Sequence, residues 1–322
     1  MTVHDGNGWT RCGRGHRHWG RHGAAGLLLA VPDGADECAV LLAQRSWWGS
    51  HGGAWGPPGG ARDSHESAVH AAVREAVEEC AIDPALVTVH GISADDHGGW
   101  VYRTVLAHAA APIAAAPVSE ETSEVAWASA ADVERLRLHP GFAEQWPELR
   151  TALMPLTVVV DAANVMGSRP DGWWRDRAGA AQRLLAQIAG ISAAGVPRLP
   201  DSVHGLALER WFPRFVVVLE GAAAAADVPR AEPGGTDTAR LAQMRAGRAG
   251  GVLGRSEVSP PEVRVVRASG SGDDEIVRQA ARAGRELVAG DRLVVTADRK
   301  LRARCEAVGA AVTGPRWLLD LL

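Results

Sequence analysis

The amino-acid sequence predicts an α/β protein with two domains, each built on a β-sheet. The chain has 322 residues, which is the length of about two common domains. In the first half, apolar strand patterns flank one strongly acidic helical stretch. In the second half, apolar runs that each end in an acid alternate with helical segments, which favours a doubly wound parallel sheet.

Residues 1–22 are polar and rich in Gly and His, and we expect them to form a flexible tail. Four of them are of types that bind zinc, namely Cys12, His16, His18 and His22. Their spacing fits no closed zinc site, so the sequence favours a mobile tail.

Two strands are predicted after this tail, in AAGLLLAV and ECAVLLAQR, with a turn at residues 32–34. Two more follow the acidic helix, in ALVTVHGISA and GWVYRTVLAHA, with a turn at residues 95–99. A helix over residues 130–138 is expected near the end of the first domain, which we place at residues 23–150.

The stretch GARDSHESAVHAAVREAVEECAI carries the clearest chemical signal. Glu75, Glu78 and Glu79 are spaced so that they share one face of the predicted helix. Because like charges this close destabilise a helix, a hard divalent cation that binds oxygen ligands, Mg²⁺ or Mn²⁺, is expected there. Arg74 lies one turn from Glu78 and two turns from Glu66, and it can therefore orient the cluster.

This stretch resembles the Nudix box, Gly-x5-Glu-x7-Arg-Glu-U-x-Glu-Glu-x-Gly-U, in which U is a bulky aliphatic residue. The positions in register are Gly60, Glu66, Arg74, Glu75, Glu78, Glu79 and Ile82. Ala76 stands where a bulky aliphatic residue is usual, and Ala81 stands where the second Gly is usual. Since the helix should end in a left-handed turn, we expect Ala81 to cost about 1 kcal/mol.

The resemblance implies a Nudix α/β/α sandwich with a mixed sheet. It also implies a metal-dependent pyrophosphohydrolase that acts on a nucleoside diphosphate-linked substrate, with nucleoside triphosphates such as an oxidised purine nucleotide favoured. The metal ligands carried over are the backbone of Gly60 and the carboxylates of Glu75, Glu78, Glu79 and Glu121. The catalytic residues carried over are Glu75, Glu78 and Arg74, with Glu75 either the general base or a further ligand. Glu120 and Glu124 are alternatives to Glu121.

In Nudix proteins the strand and loop before the box flank the nucleotide, and this places Arg45, Trp47 and Trp55 beside the substrate. Two interpretations of the tryptophans, including Trp48, stay open. They stack on a base, or they pack the box helix against the sheet.

The second domain is predicted over residues 156–322, with a flexible insertion at about residues 222–261. Three apolar runs are followed by Asp161, Glu220 and Asp298 at the predicted carboxyl ends of parallel strands. Helices are expected over residues 174–189, 274–283 and 300–308, and acids open the second of them. Acids that meet at one sheet edge predict a second metal site.

This half is similar to PIN-like nucleases of the NYN type. The positions carried over are Asp161, Asn164, Glu220, Asp273 and Asp298, with Asp274 as an alternative to Asp273. Asp is common in the family where Glu220 stands. The resemblance implies one or two Mg²⁺ or Mn²⁺ ions and attack of water on an RNA phosphodiester.

Charge and cysteine usage bound the partners. The chain carries 34 basic and 38 acidic residues, a net charge of −4, with the acidic excess in residues 1–149 and a basic excess in residues 150–322. A basic half can face a polyanion such as RNA. Four scattered cysteines without a CxxC pair indicate a reducing cytoplasm, and no apolar run is long enough to span a membrane.

Three interpretations of the fusion stay open. The Nudix enzyme is joined to an active metal-dependent ribonuclease, or to a catalytically silent module for RNA binding or oligomerisation. In the third, the first domain removes a 5′ di- or triphosphate from RNA and the second domain cuts that RNA. Both families often pair, so a second copy of the chain is a further expected partner.

Overall fold

The computed structural model describes residues 4–33, 37–203, 207–227, 263–282 and 292–322. The strands β1 to β15 are Trp9–Arg11, Arg17–Trp19, Ala24–Pro32, Cys38–Arg45, Trp55–Gly56, Gly59–Ala61, Thr88–Asp96, Val101–His108, Thr122–Ser129, Thr157–Asp161, Arg210–Trp211, Arg214–Leu219, Val263–Arg267, Arg292–Val295 and Ala311–Thr313. The helices α1 to α7 are Ala68–Cys80, Pro140–Leu149, Ala162–Gly167, Arg177–Ala194, Gly272–Arg282, Arg299–Ala307 and Pro315–Leu319.

The first half of the chain forms most of a mixed sheet, to which β11 is added from the second half. Its strand order is β11-β7-β8-β3-β4-β5, extended by β6 beside β3 and by β9 beside β4. β3 runs parallel to β8 and antiparallel to β4. Alternate residues of a strand face opposite sides, so Leu27 and Leu29 pack with α1 while Leu28 packs in the core that contains α2. These layers are those of the mixed-sheet sandwich that the sequence predicts.

The N-terminal residues differ from the predicted flexible tail. β1 and β2 pair as an antiparallel hairpin in which Trp9 lies opposite Trp19. The backbone N–H of Gly6 donates to the buried carboxylate of Asp63 at 2.7 Å, and the indole N–H of Trp100 donates to the carbonyl of Gly20 at 2.9 Å. These bonds reach residues distant in the sequence, and a local composition argument could not foresee them.

The second half forms a parallel sheet with strand order β13-β12-β10-β14-β15 in the described residues. Val158 and Val160 of β10 belong to the core that contains α4, whereas Val159 packs with α5 and α6. Burial on both faces explains the unbroken apolar run. Helices on both faces make this sheet doubly wound, and its strand order reverses between β10 and β14, where α/β proteins bind ligands.

Two predicted helices have other bounds in the structure. Of the helix expected over residues 130–138, only a 3-10 turn at Val133–Arg135 forms. The residues after it pair with Trp55 instead, since the N–H of Trp55 donates to Arg137 and that of His139 donates to Trp55, both at 2.8 Å. The helix expected from residue 174 begins at Arg177, after a separate 3-10 turn. Most of the insertion predicted at residues 222–261 lies outside the described residues.

The two halves share one apolar core. β11, which belongs to the second half of the chain, pairs with β7 of the first sheet, where Trp211 lies opposite Gly91. Trp146 of α2 and Phe215 of β12 are both buried in the same cluster. Residues 150–156 therefore connect two sheets that pack against one continuous apolar core. None of the described helices has the length and apolarity needed to cross a membrane.

Candidate active site

Helix α1 presents the acidic cluster, and its two ends are fixed locally. The side chain of Ser67 accepts a hydrogen bond from the N–H of His70, which caps the first turn. The helix ends at Ala81, whose φ of 53° and ψ of 30° are left-handed. The left-handed turn expected from the box is therefore present, and an Ala occupies it. Ala76 is fully buried against the sheet, where its small side chain brings the helix close.

Arg74 uses all five of its N–H groups within this cluster. Nε and Nη2 bind the two oxygens of Glu66 at 2.8 and 3.0 Å. Nη1 donates to Glu75 at 2.8 Å and to Glu78 at 3.1 Å. The second N–H of Nη2 donates to the carbonyl of Ala61 at 3.0 Å. The guanidinium thus fixes three acids, Glu66, Glu75 and Glu78, and ties the helix to β6.

Glu75 and Glu79 lie half-buried where α1 faces β6. The N–H of Gly59 donates to Glu79 Oε2 at 3.0 Å. The carboxylate of Glu75 sits against Gly60, where an added Cβ would come within 2.6 Å of it, so a larger residue would displace the carboxylate. Burial raises the pKa of Glu75, and burial together with repulsion from Glu75 raises the pKa of Glu79 to about 8. Negative charge that the protein does not offset is concentrated here.

Glu121 joins this cluster from another element. It directly precedes β9, and its carbonyl accepts a hydrogen bond from the N–H of Ser46 at 2.8 Å. Its carboxylate contributes to the raised pKa of both Glu75 and Glu79. The two alternatives considered from the sequence, Glu120 and Glu124, are not among the main contributors to either pKa shift.

The donor set fits a hard divalent cation. The acids Glu75, Glu78, Glu79 and Glu121 supply oxygen only, and the repulsion that helps to raise the pKa values of Glu75 and Glu79 is what such a cation would relieve. The close approach of Gly60 brings backbone to the same place. Mg²⁺ and Mn²⁺ both prefer these ligands.

The residues expected to flank a nucleotide divide into two groups. Trp47 and Trp48 are each 71% exposed, and Arg45 lies near enough to lower the pKa of Glu79. Trp55 is only 9% exposed and packs in the core, so its expected contact with the substrate is corrected to a structural role.

Tyr102 is a neighbour of the site that the sequence argument missed. Its buried side chain contacts Gly26, where an added Cβ would lie 2.2 Å from the hydroxyl. Burial and the charge of Glu79 raise its pKa, so the phenol stays protonated. The only signal in the sequence is that the chain has a single Tyr.

A second acidic cluster lies at the carboxyl edge of the parallel sheet. Asp161 ends β10, and Glu220 and Asp298 come just after β12 and β14. Burial raises the pKa of Asp161, and the charges of Asp273 and Glu220 raise it further. Burial and the charges of Asp298 and Glu220 likewise raise the pKa of Asp273. The topology thus brings the four expected acids close enough to repel one another.

Neighbouring groups hold these side chains in place. Thr296, which the sequence argument missed, is fully buried and donates its hydroxyl to Asp161 Oδ2 at 2.8 Å. Asn164 Oδ1 accepts from the N–H of Ala297 at 2.9 Å, and this bond joins α3 to the residues after β14. The longer side chain of Glu220 accepts from the N–H of Gly272 at 2.9 Å.

Asp273 and Asp274 are distinguished by their partners. Asp274 is exposed and forms an ion pair with Arg304 at 2.5 Å. Asp273 is instead coupled to Glu220 and Asp298. The geometry therefore favours Asp273 as the member of the cluster, and Asp274 lies at its rim.

Comparisons with known proteins match the first half of the chain. A NUDIX domain family model matches residues 20–149. The chain is 44% identical over 160 residues to "Putative 8-oxo-dGTP diphosphatase 3" of Mycobacterium tuberculosis, a match covering 48% of this chain and 72% of that protein. It is 37% identical over 160 residues to a "Nucleoside triphosphate pyrophosphatase/Nudix hydrolase fusion protein" of Bifidobacterium longum, covering 47% of this chain and 33% of that protein. A crystal structure of a Nudix hydrolase from M. smegmatis, RenU, is 44% identical, with a TM-score of 0.42, covering 45% of this chain and 93% of that one.

Proposed function

The chain belongs to the Nudix hydrolase family, and we propose that its N-terminal half cleaves nucleoside triphosphates to the monophosphate and pyrophosphate. An oxidised purine nucleotide is the favoured substrate, since a relative that is 44% identical carries the name of an 8-oxo-dGTP diphosphatase. The observation that carries the proposal is the cluster on α1 and before β9, where mutual repulsion and burial raise the pKa of Glu79 to about 8.

Three carboxylates would hold the divalent cation in this proposal, those of Glu78, Glu79 and Glu121, and Glu75 beside them is either a further ligand or the base. Bound Mg²⁺ or Mn²⁺ supplies positive charge to the pyrophosphate and lowers the pKa of a water molecule. Arg74 acts as a positioning residue, because its fork holds Glu75 and Glu78 at fixed distances.

Glu75 is the group proposed to take the proton from the attacking water. Burial raises its pKa, so its carboxylate is a stronger base than an exposed one. Water adds to a phosphorus of the substrate, the bridging P–O bond breaks, and the pyrophosphate leaves. The proton held on Glu75 then returns to solvent.

The substrate would lie on the exposed side of the cluster. Trp47 and Trp48 offer two open indole faces, on which a purine base can stack. Arg45 lies close to Glu79 and can pair with a phosphate.

The test is pyrophosphate release from a nucleotide panel that includes 8-oxo-dGTP, dGTP, ATP and a dinucleoside polyphosphate. Wild type is compared with Glu78→Gln, and Glu144→Gln, an exposed acid on α2, is the matched control. We expect Glu78→Gln to lose the activity and Glu144→Gln to keep it. A fully active Glu78→Gln protein would contradict the metal cluster, and release from the dinucleoside polyphosphate alone would replace the substrate class.

A second candidate function is favoured by the second cluster. We propose that Asp161, Glu220, Asp273 and Asp298 bind Mg²⁺ or Mn²⁺ and that this half hydrolyses RNA phosphodiesters in the manner of PIN-like nucleases. The observation that supports it is the coupling of these acids across the sheet edge. Mn²⁺-dependent cleavage of single-stranded RNA that Asp161→Asn abolishes is the expected result. RNA binding without cleavage would favour the silent module, and activity on 5′-triphosphate RNA alone would favour the RNA-end interpretation.

A further inference from the structure

Cysteine and histidine side chains form a further cluster of potential metal ligands, separate from the two carboxylate clusters. Cys12, His16 and His18 of the N-terminal hairpin meet His97, which comes from the turn between β7 and β8. One ligand atom from each of the four lies within 4.8 Å of the other three. A thiol and three imidazoles are nitrogen and sulphur donors, which favour zinc over Mg²⁺.

The backbone brings these donors together without help from a metal. The N–H of Cys12 donates to the carbonyl of His16 at 3.1 Å, and that of Gly15 donates back to Cys12 at 2.9 Å. Gly15 has a φ of +82°, which this tight loop requires. The N–H of Gly13 donates to the carbonyl of Gly98 at 2.5 Å, so the hairpin is bonded directly to the turn that carries His97.

His97 is oriented as a metal ligand. Its Nε2–H donates to Asp95 Oδ2 at 2.9 Å, and that oxygen also accepts from the side-chain amide of Gln145 at 3.0 Å. A carboxylate on one ring nitrogen leaves the other nitrogen with a free lone pair, which is the usual support for a metal-binding His. His97 Nδ1 is buried and has no hydrogen-bond partner among the residues that the structure describes.

His18 also has a ring nitrogen without a hydrogen bond. Its Nε2 is buried and has no hydrogen-bond partner in the part of the chain that the structure describes. The ring stacks on buried Trp100, with centroids 3.9 Å apart and planes at 12°, and this fixes its direction. Two buried nitrogens without partners in one cluster are costly unless a ligand satisfies them.

We propose that Cys12, His16, His18 and His97 bind one Zn²⁺ ion in a closed, four-coordinate structural site. Four ligands leave no open position for substrate, so the ion would stabilise and not catalyse. Zinc with one sulphur and three nitrogen ligands sets ligand atoms about 3.3–3.6 Å apart, so the four atoms would close by about 1 Å. The proposal does not rest on the proposed function, because it involves other residues and another class of metal.

The sequence alone suggested His22 in place of His97. In the structure His22 Nε2 lies 3.6 Å from Asp5 instead, outside the cluster. The bound ion would join the hairpin to the β7–β8 turn, across the small core that Cys12 forms with Trp100. Ordering a terminal segment in this way couples metal binding to its folding.

The experiment measures metal content and not activity. The full-length chain is purified without chelator, dialysed against excess Mg²⁺ and analysed by mass spectrometry for zinc. Three variants are compared: His16→Ala, Cys12→Ser and the control His22→Ala. His16 is exposed, so its substitution leaves the fold intact, and far-ultraviolet circular dichroism checks this for each protein.

Wild type and His22→Ala are expected to hold one zinc ion per chain, and His16→Ala and Cys12→Ser to lose it. After exchange with Co²⁺, wild type should show the thiolate-to-cobalt charge-transfer band, and Cys12→Ser should not. Zinc retained in both His16→Ala and Cys12→Ser, or a wild type with neither zinc nor the cobalt band, would overturn the proposal. If Cys12→Ser fails to fold, His16→Ala decides the question alone.

Discussion

The two acidic clusters gather their carboxylates in opposite ways. Glu75, Glu78 and Glu79 come from two turns of one helix, and Arg74 on the same helix binds two of them. In the second cluster the acids come from separate elements, and the ion pair formed by Arg304 lies at the rim, on Asp274. A cluster on one helix depends on local spacing, whereas the other depends on strand order. The first can therefore be recognised from the spacing within one stretch, whereas recognising the second also requires a prediction of the sheet topology.

The largest expected effect comes from the close contact between Gly60 and the carboxylate of Glu75 in the first cluster. Gly60→Ala should lower pyrophosphohydrolase turnover by about 100-fold, because the new Cβ would displace the carboxylate of Glu75 by a large part of 1 Å. Gly190→Ala on α4, where nothing lies within 4 Å of an added Cβ, is the control and should keep full activity. Steady-state kinetics of both variants give the answer, and equal activity would mean that Glu75 can move freely.

The next prediction concerns two buried histidines, His90 and His108, which lie where the two halves of the chain meet. His108 Nε2 accepts a hydrogen bond from Arg214 at 2.8 Å, and His90 donates to the carbonyl of Ala152 at 2.9 Å. Burial lowers the pKa of His90 to about 4 and, with His90 and Arg214 beside it, that of His108 to about 3. These rings are neutral in the folded protein and take up protons on unfolding.

The sign follows from proton uptake. Between about pH 6.5 and pH 4 the unfolded chain binds more protons, so the free energy of unfolding rises with pH there. Acidification from pH 7 to pH 5 should remove about 1–2 kcal/mol for each of His90 and His108. Urea titrations at each pH measure this, with His108→Gln expected to flatten the slope and His70→Ala, on the exposed side of α1, expected to leave it unchanged. If His108→Gln kept the wild-type slope, protonation of His108 would make no contribution to the pH dependence of stability.

The second cluster offers a smaller effect of opposite sign. Asp273→Asn should stabilise the metal-free protein by at most about 0.5 kcal/mol, because it removes repulsion from Asp298 and Glu220 that solvent largely screens at this exposed position. Mn²⁺ is expected to raise the Tm of the wild type, and Asp273→Asn should abolish that rise. Asp274→Asn removes only the exposed pair with Arg304 and should change stability by at most about 0.5 kcal/mol. If the two variants exchanged these outcomes, Asp274 would be the member of the cluster.

A further effect on stability concerns the end of α1. Ala81→Gly should raise stability by about 1 kcal/mol, because Gly adopts the left-handed φ of 53° without strain. Ala143→Gly, inside α2, should lower stability by a similar amount. Thermal unfolding compares the pair, and a destabilised Ala81→Gly protein would show that the methyl group packs more than it strains.

The sequence was sufficient wherever a pattern was local. The spacing of the box placed Arg74 among Glu66, Glu75 and Glu78, and it placed a left-handed residue at Ala81. Apolar runs gave β3, β10 and β12 because buried strands need unbroken apolar residues.

It failed wherever the partner was distant. The hairpin near the N-terminus is held by Trp100 and meets His97, about eighty residues away, so composition suggested only a tail. Trp55 is buried because residues 137–139 pair with it, and the same pairing replaces the helix expected there. Thr296 and Tyr102 support their sites through contacts that only the folded sheet creates.

The most direct test of two independent sites measures pyrophosphate release from 8-oxo-dGTP with Mg²⁺ in three full-length proteins: wild type, Glu78→Gln and Asp161→Asn. The account predicts that Glu78→Gln loses the activity and that Asp161→Asn retains it at the wild-type rate. Loss of activity in Asp161→Asn with retention in Glu78→Gln would contradict the account.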